Sequence, residues 1–382
     1  MRPFFSILFI SFSLAAPAAT VPDRFETIAR QAETARLQER VPEAIRLYRE
    51  GTHLRPAWDD GWWYLGTLLY DQDRFPEAAV AFQHLLANTT HRGPAHAFLA
   101  LCDYAAGKFD DALAESRAWA GTGWVGTREL RDVSEYHFAL LLTRDGRFVE
   151  SLFLIAPLAQ RLGDNPEIVE AMGLASLRMA YLPENYPPEM RERIWLAGKA
   201  AMYAAQSPRD LERADEYAAR LEARYSAQPE IHYFRGTLDG FEGKKAEAES
   251  EYREELKISP AHAPALVALA GFDLERNDLA EAGTFARRAI SADSNNAEAH
   301  HLMGRALLAT GDPRGAAAEL ETAKQLAPDS PLVRSHLAMA YTKLGRMQEA
   351  KAEAAAFLAL KNKEEVMAPP AEKLGGTVEK AH

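Results

Sequence analysis

The chain has 382 residues, 47% of them hydrophobic, with a net charge of −11 and an isoelectric point near 5.6. That apolar content can bury one or several cores, while the acidic balance argues against electrostatic binding to nucleic acid, which needs a basic surface. A single cysteine, Cys102, excludes an internal disulfide.

The first twenty residues, MRPFFSILFISFSLAAPAAT, hold one early charge at Arg2, an apolar run from Phe4 to Leu14, and small residues at Ala16, Ala18 and Ala19. This is the layout of a secretory signal over residues 1–19, and the run falls short of the ~20 residues that span a bilayer. The expectation is an exported chain, periplasmic or extracellular, with no integral membrane segment once the signal is removed. Cys102 sits beside Leu99, Leu101 and Ala105 on a predicted helix and reads as a small buried hydrophobe rather than a nucleophile.

From residue 25 a period of 34 residues governs the chain. A repeat counted from Asp59 to Arg92 has Gly66 at its eighth place and Ala78 at its twentieth. Both places stay small in repeats 25–58, 59–92, 93–126, 132–165, 229–262, 263–296, 297–330 and 331–364, from Ala32 and Ala44 to Ala338 and Ala350. Two antiparallel helices approach closely only where the facing side chains are small, so these places mark the crossing point of a hairpin. The fifteenth place holds Asp73, Gly107, Gly146, Gly243, Asn277, Gly311 and Gly345, residue types that enter the left-handed conformation and end a helix. Prolines 56, 260 and 328 stop the second helix, and large rings such as Tyr48, Phe82 and Tyr252 fill the twenty-fourth place, each contributing about 2–3 kcal/mol on burial.

With Trp62, Leu65, Gly66, Leu69, Ala78 and Phe82 in one repeat, the sequence resembles the tetratricopeptide repeat family. The resemblance implies an all-α fold, a right-handed α-solenoid of stacked antiparallel helix hairpins, about ten in all. It also implies binding and scaffolding rather than a reaction.

Residues 166–228 depart from the pattern. A first helix with Gly173 at its eighth place is followed by LPENYPPEM, whose prolines oppose a regular second helix. A further pair is expected over 193–221, with Gly198 and Ala214 as its small residues and Ser207-Pro208 as a helix start. The organisation is therefore an N-terminal array over 25–165, irregular hairpins with a proline-rich insertion over 166–228, a C-terminal array over 229–364, and a disordered tail over 365–382.

The search for chemistry returns little. GTGWVG, residues 121–126, has the spacing of a dinucleotide fingerprint, but a helix precedes it where a strand is required, so it reads as a link between repeats. His96, His232 and His300 share the fourth place of their repeats, which repeat position explains better than metal binding. Asn88-Thr89-Thr90 fits a glycosylation acceptor. No residue reads as catalytic, and no cofactor or metal is called for.

In the family, first helices line the inner wall of a trough, and places two, five, nine and twelve form the stripe that the resemblance turns toward it. That stripe supplies the candidate peptide- or protein-binding residues: Trp63, Thr67 and Tyr70, Leu101 and Tyr104, Tyr136 and Leu140, Tyr233, and His301 and Arg305. Aromatics with polar tips suit a peptide partner, although Trp63 and Tyr70 fit packing against the adjoining repeat equally well. The expected function is a non-enzymatic interaction scaffold of a bacterial envelope that holds a protein or peptide in its concave groove. The competing reading is a subunit of an envelope enzyme complex, or an enzyme whose site lies in 166–228, with Glu184, Tyr186 and Glu189 as its polar candidates.

Overall fold

A computed structural model describes residues 23–88 and 93–367. The signal segment, residues 89–92 with most of the glycosylation acceptor, and residues 368–382 lie outside it. Among the described residues there are nineteen α-helices, one short 3-10 turn and no strand, and no helix is long and apolar enough to cross a membrane. The chain forms two compact units, residues 1–142 and 143–382.

In the first unit, α1 (Arg24–Leu37) pairs with α2 (Val41–Leu54), α3 (Asp59–Tyr70) with α4 (Phe75–Asn88), and α5 (Gly93–Ala105) with α6 (Phe109–Gly121). α7 (Arg128–Arg144) follows. Each hairpin stacks on the next through α2 on α3 and α4 on α5. The small places do what packing demands of them: Ala32, Ala44, Ala78 and Ala112 are buried, and a Cβ on Gly66 would press on the ring of Phe82. GTGWVG is the link after α6, where Trp119 donates its indole N–H to the Val125 carbonyl at 3.0 Å and packs edge-on against Trp124.

The second unit holds α8 (Phe148–Leu162), α9 (Pro166–Ser176), α10 (Arg191–Ala205) and α11 (Leu211–Tyr225). Four regular hairpins come after them: α12 (Ile231–Phe241) with α13 (Lys245–Ile258), α14 (Ala263–Glu275) with α15 (Leu279–Ala292), α16 (Ala297–Thr310) with α17 (Pro313–Leu326), and α18 (Pro331–Lys343) with α19 (Met347–Met367). The starts of α14 to α18 are capped by side chains: the carboxylate of Asp312 accepts from Gly315 N–H at 2.9 Å and the amide oxygen of Asn296 from Ala299 N–H at 3.0 Å. α19 runs to Met367, three residues into the stretch read as tail, because nothing from 360 to 367 breaks a helix.

Every fifteenth place takes a positive φ, from Asp73 at 55° to Gly311 at 87°, and Glu39 does so at 56° in the first repeat. A glutamate there bears the strain that glycine avoids. Of the eighth and twentieth places only Ala338 is half-buried; the rest are buried.

The segment 166–228 differs from the expected two hairpins. α10, read as the first helix of a new pair, packs on α9 as well as on α11. The reason is a glycine contact: a Cβ on Gly198 would overlap the carbonyl oxygen of Val169, and one on Gly173 that of Ile194. α9 therefore has its second helix, delayed by a strap, residues 177–190, that ends in the 3-10 turn Pro188–Met190. Tyr186 pins the strap, buried against Leu174 and Ile194 with its hydroxyl donated to Glu170. α11 starts at Leu211 under an Asp210 cap rather than at Ser207-Pro208, and it packs back on α10 as the expected pair requires.

Candidate functional site

Within each unit, buried residues interrupt the stripe read from sequence. Trp63 and Tyr70 are half-buried in the seam with the next hairpin, edge-on to Phe98 at 5.6 and 5.1 Å. The Thr67 hydroxyl donates to its own helix, to Trp63 O at 3.1 Å. Leu101 and Leu140 belong to the core, Leu140 only 1% exposed. Tyr104 packs on Phe109 and His137, and Tyr136 on His137.

In the second unit His301 is 2% exposed and is likewise interior. Its Nδ1 lies 3.2 Å from Glu298 and its Nε2 3.0 Å from His336 Nδ1, which also contacts the Leu332 carbonyl at 2.8 Å. The consistent assignment has His301 donate to Glu298 through Nδ1 and accept at Nε2 from His336. Burial, more than its neighbours, holds His336 below the usual histidine value. Arg305 is half-buried near this pair.

Tyr233, with Thr237 a turn further on, reaches a cavity. Its N–H donates to the buried Glu255 carboxylate, which also accepts from Glu230 N–H and so caps α12, and its ring packs on His262 and Tyr252. Burial raises the phenol above its ordinary value, so it is no base. The cavity, about 630 Å³, is bounded by α8, α9, the C-terminal end of α10, and α12. Its floor is lined by alanines, among them Ala156, Ala175, Ala201 and Ala204, too small to fill the space. Phe153 and Phe241 stand at its rim, 74% and 62% exposed.

The charged groups of the lining are Arg178 and Arg209, with no carboxylate among them. The Arg178 guanidinium sits 4.8 Å from the Phe148 ring centroid, and Arg209 donates to the Phe241 carbonyl at 3.4 Å. Arg178 also lies 3.8 Å from the Glu230 carboxylate, so part of its charge is met within the chain, and the lining is otherwise mostly apolar. It offers no pair of groups for acid–base or nucleophilic work. Of the enzyme candidates, Tyr186 is committed to Glu170 and Glu189 is exposed on the strap.

A pairing rule escaped the sequence reading. His96, His232 and His300 each place Nδ1 2.5–2.6 Å from a carboxylate at the twenty-third place, Glu115, Glu251 and Glu319, and Arg334 donates to Glu353 at 2.8 Å in the same way. Where the fourth place is apolar, so is the twenty-third, as with Leu266 and Phe285 or Ile28 and Leu47. The covariation was visible, but only to a comparison of two places nineteen apart. The rim aromatics Phe153 and Phe241 had no such signal, since exposure of an apolar residue is not encoded in period.

Residues 30–94 match the family model described as tetratricopeptide repeat. Residues 30–94 thus carry tetratricopeptide repeats. Residues 275–355 match a model described as anaphase-promoting complex, cyclosome, subunit 3. Among solved structures, MamA 41-end from Desulfovibrio magneticus RS-1 is 20% identical over 45% of this chain and 98% of its own, with a TM-score of 0.36. YrrB, titled a TPR protein with an unusual peptide-binding site, is 16% identical over 47% of this chain and 91% of its own, with a TM-score of 0.38. Yeast Tom70 is 12% identical over 91% of this chain and 97% of its own, with a TM-score of 0.31. Scores this low carry nothing about arrangement or ligand. No curated protein matches the chain. Regular helix hairpins lie on either side of 166–228, and the groove lies where their regularity is interrupted.

Proposed function

We propose that this protein is a non-enzymatic scaffold, exported to a bacterial envelope, that binds an apolar, acidic-flanked peptide segment of a partner protein in the groove bounded by α8, α9, α10 and α12. The observation that carries the reading is a pair of exposed phenylalanines, Phe153 and Phe241, at the mouth of an alanine-floored cavity whose charged groups are both arginines. Large apolar side chains held in water at a concave site mark an interaction surface. Export rests on the signal-like residues 1–19.

A displayed peptide library panned on the full chain tests the binding. Enrichment of sequences with two or more large apolar residues beside Asp or Glu is expected, and the doubly substituted Phe153→Asp, Phe241→Asp protein should lose them. Enrichment that survives those substitutions would remove the groove from the reading. A fusion of residues 1–40 to a reporter active only outside the cytoplasm tests export, and an inactive fusion would refute it.

A further inference from the structure

We propose a divalent-metal site made by Glu222, His232 and Glu251. One helix each provides a ligand: α11 gives Glu222, α12 gives His232 and α13 gives Glu251. One oxygen of each carboxylate and one ring nitrogen all lie within 4.8 Å of one another, with every residue half-buried. His232 and Glu251 are 14% and 20% exposed in their side chains.

The protein contains its own controls. His96–Glu115 and His300–Glu319 repeat the His232–Glu251 clamp at nearly the same distance, yet among the described residues neither gathers a third ligand. The third ligand comes from α11, the helix before the pair: the same place holds Lys324, which pairs with Glu353 at 2.9 Å, and Ile290 ahead of His300, so the repeat brings this place to the clamp and only here does it supply a carboxylate beside a histidine. Among the described residues, the Glu222 carboxylate takes no hydrogen bond or ion pair. Two carboxylates drawn together around one imidazole repel each other at neutral pH unless a cation lies between them.

The donor set names the cation. One imidazole nitrogen and two carboxylate oxygens match a first-row ion such as Zn²⁺ better than Mg²⁺ or Ca²⁺, which prefer oxygen alone. Ligand atoms ~2.0–2.2 Å from a tetrahedral ion stand roughly 3.3 Å apart. Binding therefore opens the 2.6 Å His232–Glu251 contact by some tenths of an ångström and draws Glu222 inward. The fourth position is left to water. The ion would join α11 to the α12–α13 hairpin, to which α11 is otherwise only lightly packed.

The test uses the full chain, stripped with a chelator and titrated with Zn²⁺ by calorimetry, with the thermal midpoint followed in parallel. One saturable equivalent and a raised midpoint are expected. Glu222→Gln leaves the histidine clamp in place and should weaken that equivalent on the order of tenfold or more, since even outer-shell changes cost 10–100-fold. His300→Asn should leave it unchanged. Equal Zn²⁺ binding by the native and Glu222→Gln proteins, or saturation by Mg²⁺ at the same concentration as by Zn²⁺, would overturn the proposal. Peptide binding by the groove is a separate readout, and its failure would not touch the metal site.

Discussion

Gly198 and Gly271 carry the same side chain and opposite constraints. A methyl on Gly198 would strike the backbone of α9 at Val169, which cannot rotate away, whereas one on Gly271 in α14 would meet open space. Gly198→Ala is expected to lower stability by about 2 kcal/mol or more through overpacking, and Gly271→Ala to raise it by about 0.5–1 kcal/mol by reducing the freedom of the unfolded chain. Urea midpoints of the two variants should move in opposite directions. Glu353 presents a different residue-scale balance. Burial pushes its carboxyl up, but hydrogen bonds from Arg334 and Lys324 outweigh that and hold it below its ordinary value of 4.5. A carboxyl lowered on folding stabilises at and above its unfolded value and loses that contribution as pH falls through the folded one. Glu353→Gln should therefore cost about 1–3 kcal/mol at pH 7. The stability gap between native and variant should narrow as pH drops below 4.5, as read from paired urea titrations at pH 7 and pH 4.

At the scale of elements, the regular hairpins were legible because one physical demand, close approach of two backbones, acts at the same two places each time. The turns were legible for a similar reason, down to Asp73 and Asn277, while Glu39 shows that position outranks residue type once seven neighbours set the register. In 166–228 the pair of α10 and α11 was legible, but not the return of α10 to α9, because the prolines lie in a connecting strap, residues 177–190, rather than in a helix. Gly173 and Gly198 held that information, yet each also fits a separate hairpin, and spacing alone does not say which glycine faces which. Part of the stripe is interior for a physical reason: some places expected to face a trough also meet the neighbouring hairpin, as Leu140 and His301 do. The strap depends on one anchor. Tyr186→Ala removes a buried ring and its hydrogen bond to Glu170, and a loss of about 3 kcal/mol is expected. Amide hydrogen exchange should quicken over 177–190 and the start of α10 while α14 to α17 keep their protection.

For the chain as a whole, repeats that meet only their neighbours make stability a sum of local terms, so a complete repeat can be removed in phase. Deleting residues 263–296 brings His262 to the residue before Ala297. There its Nδ1, which now accepts from Ala265 N–H at 3.1 Å, can accept from Ala299 N–H in place of Asn296. Ala299, His300, Met303 and Gly304 then occupy the places of Ala265, Leu266, Leu269 and Ala270, with His300 still paired to Glu319. The shortened chain should keep its helicity per residue, melt a few degrees lower, and retain both the groove and the three proposed metal ligands, none of which lies in the deleted stretch. Deleting residues 195–228, the same length, removes Gly198, α11 and Glu222 together. That protein should lose helicity per residue, peptide binding and Zn²⁺ binding at once. Circular dichroism on the two deletions separates a chain whose function sits in the interruption from one whose repeats are all equivalent: equal behaviour of the two would mean that the irregular segment is a spacer, and the binding surface would have to be sought on the repeats themselves.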